Sequence, residues 1–171
     1  MHPKNYLQKK KPHNFFETSR FWYNTLVKLV IQRVEKASVS VSGKLVGKID
    51  KGLLILLGVK AGDIEKSADI LAAKIAKLRI MSDKDGKMNL SIKEAGGSLL
   101  VVSQFTLYSD TSKGNRPSFI KAADPLLAKS MYERFLTNLE SFGIKFETGK
   151  FGQYMKIESV LDGPVTIMLE A

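Results

Sequence analysis

Residues 51–59 read KGLLILLGV, an apolar run without the polar alternation of a strand that has one wet face. A strand of this kind is buried on both faces and lies in the middle of its sheet. Upstream, KLVIQRV (28–34) has strand character, and ASVSVSGKLVGKI (37–49) alternates on both sides of Ser42-Gly43, the pattern of a tight hairpin. Downstream, Gly62-Asp63 supplies an N-cap before IEKSADILAAKIAKLRI, where Ile64, Ala68, Leu71, Ile75 and Leu78 recur at helical spacing. Asp85-Gly86 marks a turn, and Gly96-Gly97 precedes a second apolar strand, SLLVVSQFTLY (98–108).

A polar loop, SDTSKGNRPSFIKAA (109–123), follows, and Asp124-Pro125 caps a second helix that runs to about Ser141 and stops at Gly143. IKFET (144–148) and YMKIESVLDGPVTIMLE (154–170) close the chain as strands, the second interrupted by Gly163-Pro164. Strands, helix, strands, helix, strands, joined by hairpin turns, predict an α+β domain with a mostly antiparallel, barrel-like sheet and two main helices.

At 171 residues the chain fits one domain, placed at 27–171. No apolar run approaches the roughly 18 residues that span a bilayer, so no membrane association is expected. The absence of cysteine fits a cytoplasmic protein. A net charge of +10 points to an anionic partner, nucleic acid first. Residues 1–26 hold five basic side chains against one acidic, and lack the apolar core of a secretory signal. They are expected to be a disordered basic extension or a product of start-site choice, with Val27 at the position of the true start.

Both histidines, His2 and His13, lie in that extension. The domain therefore has neither histidine nor cysteine, which removes Ser-His-Asp catalysis, thiol catalysis and imidazole or thiolate metal sites. No phosphate-binding or dinucleotide fingerprint is present, so no cofactor and no metal are expected. Chemistry here must rest on hydroxyls, amides, carboxylates, lysines, backbone dipoles or the substrate itself.

Three stretches carry candidate sites. In VVSQFTLYSD (101–110), Ser103, Gln104 and Thr106 place hydrogen-bonding side chains at the end of an apolar strand. Either they bond to neighbouring strands and water, or they line a pocket. GNRPSF (114–119), with Lys113, Arg116 and Lys121, is a basic loop that could hold phosphates or simply face solvent. TGKFGQYM (148–155) adds Lys150, Phe151 and Tyr154, aromatics that could stack on a base or fill the core. On composition alone, Asp162-Gly163-Pro164 reads as a turn.

Taken together, IQRV (31–34), KGLLILLGV (51–59), DGKMNLS (85–91), SQFTLY (103–108), KGNRPSF (113–119), TGKFG (148–152) and DGPVT (162–166) resemble the D-aminoacyl-tRNA deacylase family of the bacterial and eukaryotic type. The Ser-Gln-x-x-Leu and Gly-Pro-Val-Thr motifs are that family's signatures, and both occur in order.

The resemblance implies a homodimer that hydrolyses the ester between a D-amino acid, or glycine, and the terminal adenosine of tRNA. It implies that Ser103, Gln104, Phe105 and Thr106 line the catalytic wall. Gly163-Pro164, in the cis form, would enter from the other subunit and reject L-amino acids. Arg33 and Thr166 would support that motif, while Phe151 and Met155 hold the adenine and Lys113, Arg116 and Lys150 meet the tRNA. Leu161 stands where the family usually has asparagine, and Gln153-Tyr154 replaces a common alanine and small or acidic pair. A non-catalytic RNA-binding domain of the same fold, or an esterase or acyltransferase acting on another ester, would share much of this pattern.

Overall fold

The structure, a computed structural model, describes residues 26–171. The expected basic extension lies outside the described residues except for Leu26. Eight strands and two α-helices follow in the order β1 (Lys28–Val41), β2 (Lys44–Ile49), β3 (Gly52–Gly58), α1 (Glu65–Lys77), β4 (Met81–Ser82), β5 (Met88–Leu90), β6 (Ser98–Ser103), α2 (Pro125–Ser141), β7 (Phe146–Thr148) and β8 (Lys156–Glu170). A short 3-10 helix, Phe105–Tyr108, lies between β6 and α2.

The apolar run at 51–59 forms β3, held between β1 and β6 in a sheet ordered β2-β1-β3-β6-β7, with β8 on β1. Its side chains alternate between two buried clusters. Leu53, Ile55 and Leu57 pack under the helices, and Leu54 packs on the opposite face with Leu100 and Val102. Neighbouring β6 alternates in the same way, since its Leu99 and Val101 belong to the helix-side cluster. Pairings of β1 with β2, β3 and β8 are antiparallel, but β3–β6 and β6–β7 are parallel. The sheet is thus mixed rather than purely antiparallel. It also curls nearly shut, because β7 returns to β2 so closely that a Cβ on Gly47 would lie 2.6 Å from the Thr148 carbonyl oxygen.

The two strands expected at 28–34 and 37–41 are one. Antiparallel β8 runs along nearly all of β1, from Lys28↔Glu170 to Ser40↔Lys156, while β3 and β2 divide its other edge. Register shifts on either side of Val34 bend the strand. Its Leu29 and Ile31 therefore join the helix-side cluster, whereas Val34, Ala37 and Val39 join the other. The hairpin at Ser42-Gly43 forms as its sequence predicts, with φ of 49° and 76° and Val41 paired to Lys44.

Helix α2 also starts as expected. Asp124 accepts hydrogen bonds from the Leu126 and Leu127 amides at 2.9 and 3.1 Å, with Pro125 in the first turn. Helix α1 does not. Its N-cap is Ile64, without a side-chain hydrogen bond, because the Asp63 carboxylate turns back and accepts from the Lys60 amide at 2.7 Å. Arg134 of α2 then ties the helices together, donating to Asp69 at 2.7 and 2.8 Å and to Glu65 at 2.6 Å.

β3 and β6 approach so closely at their N-terminal ends that a Cβ on Gly52 would collide with the Ser98 carbonyl oxygen. Both are backbone elements of one ladder, so neither can swing aside. Gly52→Ala is expected to lower the unfolding free energy by about 1–3 kcal/mol. Urea titration followed by circular dichroism would read this as a lower midpoint; an unchanged midpoint would contradict the close approach.

Candidate functional site

β3 and β6 end at the same level, Leu57 opposite Ser103. The expected strand at 98–108 stops there because the Gln104 amide donates to the Leu57 carbonyl at 2.7 Å and the chain turns into the 3-10 helix. Gly58 makes room for that helix, since a Cβ there would lie 2.9 Å from the Gln104 oxygen and 3.0 Å from Leu107 Cβ. Tyr108 is buried behind it, with the Lys28 ammonium 5.1 Å from its ring centroid. Burial, with the carboxylates of Asp63 and Glu170 nearby, pushes the Tyr108 phenol far above its ordinary pKa.

The 3-10 helix forms one wall of a cavity of about 780 Å³. Leu57 and Val59 from the end of β3 and Val102 and Ser103 from β6 lie at its base, beside Gln104, Phe105 and Thr106. Phe119, Ala122 and Ala123 of the long loop, together with Pro125 and Ala128 of α2, make a second side. The third is the segment from Phe151 to Met155. The lining is mostly apolar, with a few hydroxyl and amide groups converging on it, the general character of a small-molecule site.

Within it, Gln104 Nε2 donates to Thr106 Oγ1 at 2.6 Å. An amide is no base, so this bond orients the hydroxyl without activating it. The Phe105 and Thr106 amides occupy the first turn of the 3-10 helix, where backbone donors have no internal acceptor. Phe105 and Phe119 meet edge to face, with centroids 5.0 Å apart. Phe151 leans on Tyr132, centroids 5.9 Å apart, and Tyr132 is fixed in turn by a 2.8 Å hydrogen bond to the Val101 carbonyl. Met155 lies against Gly149, where a Cβ would come within 2.6 Å of its sulfur.

Of the sequence-predicted residues, Ser103, Gln104, Phe105, Thr106, Phe151 and Met155 share this cavity. Lys113 and Arg116 are exposed on the long loop, and Lys150 is exposed next to Phe151. Arg33, Gly163, Pro164 and Thr166 are elsewhere. In β8, residues 162–165 bulge out between the Leu161↔Val34 and Thr166↔Gln32 pairs, opposite Arg33. The Gly163-Pro164 peptide is cis, and Gly163 has φ of 133°.

Arg33 is buried and donates from Nη1 to the Ile80 carbonyl at 2.9 Å and from Nη2 to Asp162 Oδ1 at 3.3 Å. Its Nε is 3.0 Å from Asp162 Oδ2, an ion pair whose geometry is not that of a hydrogen bond. Its partners are thus the residue ahead of the Gly-Pro pair and a distant carbonyl, rather than the Gly-Pro carbonyls. Arg33 is level with Leu53, four to six residues down β3 from the cavity floor at Leu57 and Val59. At about 3.3 Å per residue, that is roughly 13–20 Å.

The sequence places Phe119 only within a basic loop and Pro125 only in a helix cap, and marks neither Ala122 nor Ala128 as a site residue. The signal for Phe119 was an aromatic residue in an otherwise polar tract. Among the described residues no group of three or more His, Cys, Asp or Glu side chains is arranged to hold a metal ion.

The loop carrying Phe119 is pinned at its base. Lys121 forms an ion pair with Asp110 at 2.8 Å, the Ser112 amide donates to Asp110 Oδ1 at 2.9 Å, and the Ala61 amide donates to the Lys121 carbonyl at 3.0 Å. The hydrogen bond to Lys121, then those to Ser112, hold the Asp110 carboxyl well below the usual carboxylate range. A depressed folded value means the clamp contributes fully above the unfolded carboxylate pKa near 4 and is lost only as pH falls through the lower folded value. It is intact at neutral pH. Asp110→Asn should therefore release the loop at pH 7.5, making tryptic cleavage after Lys113 several-fold faster; equal cleavage rates would refute the clamp.

Comparison with known proteins converges on one family. Residues 30–170 match the family described as D-Tyr-tRNA(Tyr) deacylase. The D-aminoacyl-tRNA deacylase of Desulfatibacillum aliphaticivorans is 54% identical over 145 residues, 85% of this chain and 99% of the relative. That of Fervidobacterium nodosum is 50% identical, covering 85% and 97%. Among solved structures, one described as c-Myc DNA Unwinding Element Binding Protein superposes with a TM-score of 0.78 at 38% identity, over 84% of this chain and 98% of that one. A probable eukaryotic D-amino acid tRNA deacylase superposes with a TM-score of 0.75 at 14% identity, over 85% and 100%, a likeness of fold.

Proposed function

The chain belongs to the D-Tyr-tRNA(Tyr) deacylase family, and from that premise we propose that it hydrolyses the ester joining a D-amino acid, or glycine, to the 3′-terminal adenosine of tRNA, acting in the cytoplasm as a homodimer. The observation that carries this reading is a cavity of about 780 Å³ bounded by hydroxyls, backbone amides and aromatic rings, in a domain without histidine or cysteine. An aminoacyl ester is already an activated bond with a 2′-hydroxyl beside it, so positioning and an oxyanion site suffice.

In this reading Phe151 and Met155 hold the adenine, the ester lies against the 3-10 helix, and the Phe105 and Thr106 amides polarise its carbonyl. Water or the substrate's 2′-hydroxyl then attacks. Thr106 orients and does not act as nucleophile, because its hydroxyl accepts from Gln104 and meets no base. Exposed Lys113, Arg116 and Lys150 meet the RNA backbone.

Two features support the dimer. Gly163-Pro164 stands well along the sheet from its own cavity, as expected of a motif delivered to the cavity of another copy. β8 is also a 15-residue strand that, among the described residues, pairs on one edge only, to β1, and exposes Val160, Leu161 and Met168. Such an edge is one that proteins cover. Arg33 and Asp162 steady the bulge from behind, and Thr166 resumes the ladder after it. Backbone carbonyls of the incoming Gly-Pro receive the substrate's α-ammonium, an L side chain then meets the backbone wall, and glycine escapes rejection for want of a side chain.

Purified protein should deacylate D-tyrosyl-tRNA far faster than L-tyrosyl-tRNA and elute with the mass of two chains. Thr106→Val should keep kcat within about tenfold; a complete loss with folding and binding intact would make Thr106 the nucleophile. Gly163→Ala, whose Cβ would come within 2.7 Å of the Val165 amide at a φ unfavourable to alanine, should shift the tip. Turnover of the D-ester is then expected to fall and its ratio to the L-ester to narrow.

The +10 charge favours a second reading, a nucleic-acid-binding domain without catalysis. Tight RNA binding with no turnover of the D-ester would establish that reading instead.

A further inference from the structure

The cavity wall from Phe151 to Met155 holds an aromatic side chain that neither the core nor the proposed chemistry uses. Phe151 and Met155 turn inward, the first onto Tyr132 and the second against Gly149. Gly152, with φ of 72°, reverses the chain between β7 and β8. With both flanking side chains fixed inward, Tyr154 stands at the cavity rim with 93% of its surface exposed. Among the described residues its ring and hydroxyl have no hydrogen bond, ring contact or ion pair. A ring left this bare at a binding cavity gains nothing for the fold of the single chain.

Its surroundings define what it could hold. Lys150, exposed, precedes it by four residues, whereas Lys156, two residues on, is ion-paired with Glu158 at 3.1 Å. An open aromatic ring with an exposed lysine nearby in the same segment is the combination that proteins use for single-stranded nucleic acid, the ring stacking on a base while the lysine meets a backbone phosphate.

Resting on the reading of the cavity as the terminal-adenosine site, we propose that Tyr154 is a stacking platform for the nucleotide immediately preceding that adenosine. The adenosine and its amino acid occupy the cavity, so the next base emerges at the rim where Tyr154 stands. Tyr154 is therefore a specificity residue for the single-stranded end of the RNA. It should act on binding and leave the ester chemistry untouched.

The test uses uncharged, 5′-labelled RNA minihelices ending in the tRNA acceptor sequence, with the base before the terminal adenosine either present or abasic. Fluorescence anisotropy with the full-length dimer gives Kd for wild type, Tyr154→Ala and Tyr154→Trp. Loss of a stacked base predicts that Tyr154→Ala binds the complete minihelix roughly 5- to 100-fold more weakly. Tyr154→Trp should bind like wild type, and the abasic minihelix should bind wild type and Tyr154→Ala alike.

An equal loss on both minihelices, no loss on either, or no measurable binding by wild type would overturn the proposal. So would a Tyr154→Ala protein that elutes as a single chain, since the ring would then belong to the subunit contact. Hydrolysis of D-tyrosyl-tRNA by the same samples is scored separately. A platform present without turnover would sink the deacylase reading and spare this one, whereas turnover that survives Tyr154→Ala at unchanged RNA affinity would do the reverse.

Discussion

Parallel pairing of β3 with β6, buried on both faces, is the constraint from which the site's geometry descends. Both strands are packed into apolar clusters on the helix side and on the opposite face, so their register is fixed by both clusters at once. Fixed register brings Leu57 and Ser103 level, and the bond from the Gln104 amide to the Leu57 carbonyl converts the end of β6 into a 3-10 turn lying across the end of β3. The cavity wall is thus made of backbone held at the rim of a rigid sheet. That suits chemistry supplied by amide dipoles, which depends on donors already pointing to where charge develops.

A second constraint acts at the other end of the sheet. Arg33 is buried with a charge that must be satisfied, and Asp162 and the Ile80 carbonyl are its partners. Removing either partner would leave a costly uncompensated charge, so the pair is difficult to vary piecemeal. Asp162 also opens the four-residue bulge containing Gly163-Pro164, which means the anchor of the protruding tip is rooted in the core of its own subunit. On the proposed reading, each subunit keeps one rigid wall at one end of its sheet and offers one rigid tip from the other. Leu161, the apolar residue ahead of the motif, keeps its ladder pair with Val34 and is half-exposed beside Val160 on the side where a second copy would sit.

Much of this was legible in the sequence because it is local. The unbroken apolar run of β3, the Ser42-Gly43 turn and the Asp124-Pro125 cap each announce themselves within a few residues, and the family motifs gave the cavity's Ser103, Gln104, Phe105, Thr106, Phe151 and Met155. The misreadings concern competition over longer range. Asp63 has the right type and place for an N-cap, but the turn after β3 needs its carboxylate for the Lys60 amide. Phe105 to Tyr108 have strand-forming side chains, yet the Leu57 carbonyl captures the Gln104 amide and ends the strand. The parallel β3–β6 pairing depends on a crossover that no local pattern encodes. Phe119 enters the cavity because its loop is folded back by the Asp110–Lys121 ion pair together with the Asp110–Ser118 and Lys60–Ala122 backbone bridges.

Tyr154 shows where local and tertiary information meet. In the sequence it reads both as an aromatic that could stack on a base or fill the core and as part of a departure from the family's usual pair, which leaves a core and a binding role equally open. The structure narrows that choice through its neighbours, since Phe151 and Met155 have taken both inward positions. If the cavity chemistry is backbone-based, as proposed, the reaction can stay unchanged while rim side chains vary. On the proposed reading, variation at the rim can then tune RNA engagement independently of the wall whose amides meet the ester.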